Sequence, residues 1–178
     1  MCQGGVNDMR TYIRVVFVFL LVISLCACGK KSETVFLEKD GKLYEIADRV
    51  SFYYPKTFTM NTSSQTKELI EFVNNQEMLT YSMIVDNSDN KVEDMPALYA
   101  GQLEQDGAIE VSFKKITIDS GLVCQEFTGV FQATGLKFKN LVYFTNDASY
   151  VLSYQAPDKV YDENIVIMTQ YLTSLIVS

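Results

Sequence analysis

Between Ile109 and Gln155 the chain runs through four stretches of mostly alternating apolar and polar residues, separated by tight turns. The stretches fall near 109–118, 122–132, 136–145 and 149–155. Their turns are Asp119-Ser120-Gly121, Ala133-Thr134-Gly135 and Asn146-Asp147. Leu136, Phe138, Val142 and Phe144 alternate with polar or mixed positions, as do Tyr150, Leu152 and Tyr154. A period of two marks half-buried strands. Turns this short join antiparallel neighbours, since a parallel pair needs a long crossover. The segment therefore predicts an antiparallel meander with one buried face.

A closing helix is expected over about 158–175. Tyr161, Ile165, Met168, Leu172 and Leu175 form one apolar stripe at spacings of four, three, four and three, the pattern of a helix laid on a core. Asp158, Asp162 and Glu163 at its start complement the helix dipole and need no catalytic role.

Ahead of the meander the signals are shorter. Val35-Phe36-Leu37-Glu38 and Leu43-Tyr44-Glu45-Ile46 flank Asp40-Gly41, which reads as a hairpin. Strands follow at Val50–Tyr54, stopped by Pro55, at Phe58–Asn61, at Glu68–Val73 and at Met78–Val85, with Asn74-Asn75-Gln76-Glu77 as a turn. A polar loop covers 86–94. Pro96 then suits the first turn of a helix near 95–105, where Met95, Leu98, Tyr99, Gln102 and Leu103 keep helical spacing and Asp106-Gly107 closes it. The fold class is α+β: an antiparallel, meander-rich sheet packed by helices near 95–105 and 158–175.

The first part of the chain is of another kind. Arg10 and Arg14 precede an apolar run from Val15 to Leu25, which ends in Leu25-Cys26-Ala27-Cys28. Basic residues, an apolar segment and a small residue before the cut make a secretory signal. The cysteine just after the cut makes it a lipobox. Cleavage is expected after Ala27, with diacylglycerol on Cys28. Cys26 fits less well, because bulky Leu25 would stand at the cut. The run is shorter than the roughly 20 residues of a membrane span. Asp8 suits a signal poorly, and translation from Met9 gives a more ordinary leader. The expected organisation is a signal peptide over 1–27, a lipidated Cys28 with a short tether to residue 33, and one domain over 34–178, a natural size for a single core. Lys30-Lys31 beside the lipid add a weak attraction to headgroups, about 1 kcal/mol per charge.

The whole chain carries a formal charge of −7. Loss of residues 1–27 removes Arg10, Arg14 and Asp8 and leaves the rest one charge more negative. That balance disfavours nucleic acid as a partner. The basic pairs Lys114-Lys115 and Lys137 with Lys139 read as solvated faces. Past Cys28 only Cys124 remains, so no internal disulfide forms. Cys124 reads as a small buried hydrophobe. Histidine is absent, which removes the usual base of a nucleophilic site and any histidine-based metal site. No GxGxxG or Walker-type phosphate loop occurs.

The densest polar cluster, Asp86 to Asp94, fails as an EF-hand. Counted from Asp86, the sixth and twelfth places hold Lys91 and Ala97 where that loop needs glycine and glutamate. With no metal and no cofactor expected, Asp86, Asp89 and Asp94 stand as a possible binding loop, together with 119–121, because binding residues concentrate on loops held by a rigid scaffold.

Two segments resemble the PsbP-like family. Val50-Ser51-Phe52-Tyr53-Tyr54-Pro55 followed by Phe58 is similar to its early strand, with Phe58 where such proteins commonly carry tryptophan. Tyr150-Val151-Leu152-Ser153-Tyr154-Gln155-Ala156-Pro157, leading to a helix that ends Leu172-Thr173-Ser174-Leu175, is similar to its last strand and helix. The resemblance implies one small domain with an antiparallel sheet between helices, and a non-enzymatic accessory or assembly role. The resulting expectation is a lipid-anchored, extracytoplasmic protein that binds or assists another protein at the cell surface and is not an enzyme. Two rivals remain: a solute- or ion-binding lipoprotein with a pocket of tyrosines and carboxylates, and a cell-envelope hydrolase with a carboxylate pair.

Overall fold

The meander is present and extends further than its turns suggested. A computed structural model describes residues 37–46, 49–63, 65, 66, 68–85 and 90–178. The elements in chain order are α1 (Leu37–Asp40), β1 (Gly41–Ile46), β2 (Val50–Pro55), β3 (Thr59–Met60), β4 (Leu69–Asn74), β5 (Glu77–Val85), α2 (Met95–Gln105), β6 (Ala108–Thr117), β7 (Val123–Phe131), β8 (Leu136–Phe144), β9 (Ala148–Pro157), α3 (Asp158–Leu172) and β10 (Ile176–Val177). Among the described residues no helix is long and apolar enough to cross a membrane.

The strands form two sheets. The larger has the order β3-β4-β5-β9-β8-β7-β6 and the smaller β1-β2-β10. Every pairing is antiparallel. β6 to β9 run as consecutive neighbours, and β9 then returns beside β5. Alternation along the strands sends side chains to two faces. One face buries Phe72, Leu79, Tyr81, Leu141, Leu152 and Tyr154 against α3 and the small sheet. The other buries Phe127, Phe138, Val142 and Val151 under α2, whose Leu103 completes that cluster.

α3 follows its apolar stripe. Tyr161, Met168 and Leu172 are buried and Ile165 is partly so. Tyr171 is buried as well, although the stripe omitted it. Burial of each large apolar side chain stabilises the domain by about 1.5–3 kcal/mol. Polar contacts set how the helix lies. Glu77 Oε1 accepts from Tyr154 Oη at 2.7 Å and from Asn164 Nδ2 at 2.9 Å, which ties β5, β9 and α3 at one oxygen. Lys137 pairs with Asp158 and Asp162. Lys139 pairs with Glu126 at 3.2 Å and donates to Thr169 Oγ1 at 3.1 Å. Lys137 and Lys139 are therefore not a solvated face; they clamp the helix onto β8. Lys114 completes a two-lysine grip on Glu126 at 3.0 Å.

Three expectations need correction. Asp40-Gly41 is not a hairpin turn. Leu37–Asp40 is one helical turn that runs straight into β1, and the hairpin joins β1 to β2 instead. Gly41 permits this, because a Cβ there would meet Leu37 O at 2.7 Å. The strand placed at Phe58–Asn61 shrinks to Thr59–Met60. The closing helix stops at Leu172 rather than 175. Ser174 Oγ accepts the Tyr53 amide at 2.8 Å and donates to Tyr171 O at 2.6 Å. Leu175 still reaches the core, fully buried, and β10 pairs with β2.

α2 begins with Pro96 in its first turn, and Gly107 after it takes a positive φ of 89°, as a chain reversal past a helix end requires. Tyr99 Oη accepts from Asn140 Nδ2 at 3.1 Å, and Asn140 Oδ1 accepts from Ser153 Oγ at 2.7 Å. This chain of bonds fixes α2 over β8 and β9. Leu98 and Gln102, which share the helical spacing, face outward instead, with Leu98 50% exposed.

Candidate functional site

The two sheets meet at an aromatic seam. Tyr44 from β1 packs on Phe52 of β2 and edge-on to Phe72 of β4, and Phe52 stacks on Tyr81 of β5. At one end of the seam the sheets part and leave an open cleft of about 930 Å³. Its apolar lining comes from Ile46, Val50, Ile70 and Met83. Three tyrosines, Tyr44, Tyr81 and Tyr150, bring hydroxyls to it, and Glu45, Arg49 and Glu68 bring charge.

Local structure explains why these residues converge. Ile70 sits opposite Tyr81, and Met83 opposite Tyr150, so neighbouring strands of the large sheet present them side by side. The chain before β4 is held by Thr66. Its Oγ1 accepts the amides of Glu68 and Leu69 at 3.2 and 3.0 Å, and Glu68 O accepts the Met83 amide at 2.8 Å. Gln65 Nε2 donates to Tyr44 Oη at 3.3 Å and links that segment to β1. Arg49 is fixed by its backbone, whose amide donates to Ile46 O at 3.0 Å and whose carbonyl accepts from Ser178 at 2.8 Å.

Tyr81 is only 1% exposed, and it lines the cleft; the one buried side-chain polar atom left without a partner among the described residues is Thr80 Oγ1. Burial first, and then the neighbouring Tyr150, push Tyr81 up to about 12, so it stays a neutral donor at physiological pH. Arg49, Glu45 and Glu68 are exposed at the rim, and among the described residues no two of them form an ion pair. Arg49 is also the only arginine after Arg14.

The sequence-derived site residues are placed elsewhere. Cys28, Ala27, Asp86 and Asp89 lie outside the described residues. Asp94 is exposed at the start of α2, makes no side-chain cap, and does not border the cleft. In the 119–121 turn, Ser120 Oγ donates to Leu175 O at 2.9 Å and Gly121 takes a φ of 83°, which serves the joint with the C-terminal segment. Cys124 is buried, and burial pushes its thiol up to about 11, as a core hydrophobe rather than a nucleophile. No group of three or more metal-ligating side chains occurs among the described residues. Sequence reasoning missed Tyr81, Tyr150 and Arg49. The available signals were a tyrosine on the core side of the Met78–Val85 alternation and a lone arginine among many lysines.

Solved structures share this architecture. Cyanobacterial PsbP (CyanoP) of Synechocystis is 12% identical, with a TM-score of 0.55 over 87% of this chain and 99% of that one. The chain has a PsbP-like fold. LpqN of Mycobacterium tuberculosis, described as involved in cell envelope biogenesis, is 11% identical with a TM-score of 0.54 over 80% of this chain and 95% of LpqN. The Ran-binding protein Mog1p of Saccharomyces cerevisiae is 11% identical with a TM-score of 0.53 over 77% and 95% of the two chains. Identities this low carry the fold alone. No protein-family model and no curated protein matches the chain.

Proposed function

We propose that this protein is a lipid-anchored, extracytoplasmic accessory protein that acts by binding rather than by turnover, with the cleft between its two sheets as the recognition site. The observation that carries the reading is a cleft of about 930 Å³ whose apolar walls also carry Tyr44, Tyr81 and Tyr150 and the charged Glu45, Arg49 and Glu68. Pockets that combine apolar walls with a few convergent polar groups are the usual form of a binding site. The lipobox at Cys28 supports the anchor. The binding of Ran by Mog1p and the envelope role of LpqN, as those proteins are described, support a binding or accessory role on this fold.

The cleft also weighs between the rivals. Tyrosines and carboxylates line it, as the ligand-binding reading requires. Ile84, Val85 and Leu98 form an exposed apolar group beside α2, each about half exposed, and favour contact with a protein partner. The hydrolase reading gains least. Glu45 and Glu68 share the cleft, but both are exposed, whereas a catalytic acid needs burial to keep its proton at neutral pH.

A photoreactive residue placed at Met83, in the cleft, tests the reading on intact cells against the same residue at Val166, exposed on α3. Adducts from Met83 that Val166 does not form are expected. Identical adduct patterns from both positions, or none from Met83, would overturn it.

A further inference from the structure

The charged groups of the cleft narrow its ligand. Arg49 is the one planar, bidentate cation after Arg14, and on the rim it forms no ion pair among the described residues. Guanidinium suits carboxylate better than the ammonium of lysine does, because its paired N–H groups match both oxygens. Glu45 and Glu68 share that rim and add two negative charges. A purely anionic ligand would meet them as like charges, and a purely cationic one would meet Arg49. A ligand with one charge of each sign meets both. The same cleft is lined by Ile46, Val50, Ile70 and Met83, which call for an apolar body. Tyr81 and its neighbour Tyr150 line the same cleft, and their hydroxyls suit hydrogen bonds to a carbonyl within that body. The volume lies near the top of the roughly 300–1,000 Å³ range of small-molecule sites, room enough for a short peptide.

We infer that the cleft binds a short apolar peptide in zwitterionic form, its terminal carboxylate on Arg49, its ammonium between Glu45 and Glu68, and a backbone carbonyl on Tyr81. The inference rests on the cleft being the recognition site and adds the class of ligand.

The test uses the full chain in lipid nanodiscs, with empty nanodiscs as the blank, and four probes: trileucine, its N-acetyl form, its C-terminal amide, and the doubly capped peptide. Calorimetric titration should rank free trileucine tightest. Either single cap should weaken binding about tenfold, the cost of one charge-assisted contact of about 1.4 kcal/mol. The variant Arg49→Gln should abolish the difference between trileucine and its amide yet keep that between trileucine and its acetyl form. The double variant Glu45→Gln with Glu68→Gln should do the converse. Tyr81→Phe keeps the ring and should weaken all four peptides. Equal affinity for capped and free peptides, or indifference to Arg49→Gln, overturns the inference. If no peptide binds while Met83 still captures a specific adduct on cells, the ligand class is wrong and the cleft stands. If both fail, the cleft reading falls with it.

Discussion

Removal of a single oxygen at Tyr154 should measurably loosen the whole domain. Tyr154 is fully buried, and its hydroxyl donates to Glu77 Oε1 at 2.7 Å. Burial first, and then the Glu77 carboxylate, hold that phenol far above its ordinary range, so it is a permanent donor. Tyr154→Phe leaves the ring in place, stacked on Tyr161 at 5.7 Å, and opens no large cavity. A hydrogen bond to a charged group contributes about 1.5–3 kcal/mol. Glu77 keeps Asn164 on the same oxygen and Asn74 on the other, at 2.9 and 3.3 Å, so the carboxylate is not orphaned. The expected loss is therefore at the low end, about 1–2 kcal/mol. For a domain of about 150 residues each kcal/mol moves Tm by about 2–4 °C, which gives a fall of about 2–8 °C. Thermal melts of the full chain in detergent, followed by tyrosine circular dichroism, would measure it. A double-mutant cycle with Glu77→Gln isolates the pair and should show a coupling of about 1 kcal/mol. An unchanged Tm for Tyr154→Phe, with no coupling in the cycle, would refute the view that this node fixes α3 on the sheet.

Other consequences are equally direct. Met168 is 2% exposed between α3 and the sheet; Met168→Ala should cost about 2–5 kcal/mol and Met168→Asp should abolish cooperative melting, whereas an unaltered melt would place that face outside the core. For Glu126, burial alone would raise the carboxyl, but Lys114 and Lys139 overcome it and hold it below the usual range. A folded pKa below the unfolded one gives stability that is present above about pH 4.3 and is lost as pH falls through the folded value. Urea melts of Glu126→Gln should thus fall less steeply below about pH 4 than those of the natural chain, and parallel curves would contradict the assignment. Cys28→Ser should leave the leader uncleaved and the protein without lipid label; normal labelling on fractionation would remove the anchor from the account.

The parts of the fold legible in sequence were those with local, repeated signals. β6 to β9 showed as alternation between glycine- or Asx-bearing turns, and α3 as an apolar stripe. Pro96 and Gly107 marked both ends of α2. α1 was hidden because one helical turn has no period of its own and Asp40-Gly41 imitates a hairpin. β10 has two residues, too few for any pattern, and exists because Leu175 is drawn into the core and leaves the chain beside β2. The cleft was less legible still. Tyr44 and Arg49 flank one hairpin loop, but Tyr81 and Tyr150 lie far from them in the chain, and the four converge only when the small sheet closes on the large one. The tyrosine-and-carboxylate pocket was foreseen as a kind of site, but its members could not be named without that closure. Asp94 drew attention by composition alone, and in the structure it starts a helix.

The central claim is the proposed one, that the cleft is the recognition site and is occupied when the protein is at work in the cell. Arg49, as the only arginine after Arg14, reports this without labelling another arginine of residues 34–178. Its rate of modification by phenylglyoxal can be compared between intact cells and the purified full chain in nanodiscs, by peptide mass spectrometry. Occupancy predicts that Arg49 is protected on cells and reacts freely once purified, and that Tyr81→Phe lessens the protection. Equal rates in both settings would contradict it.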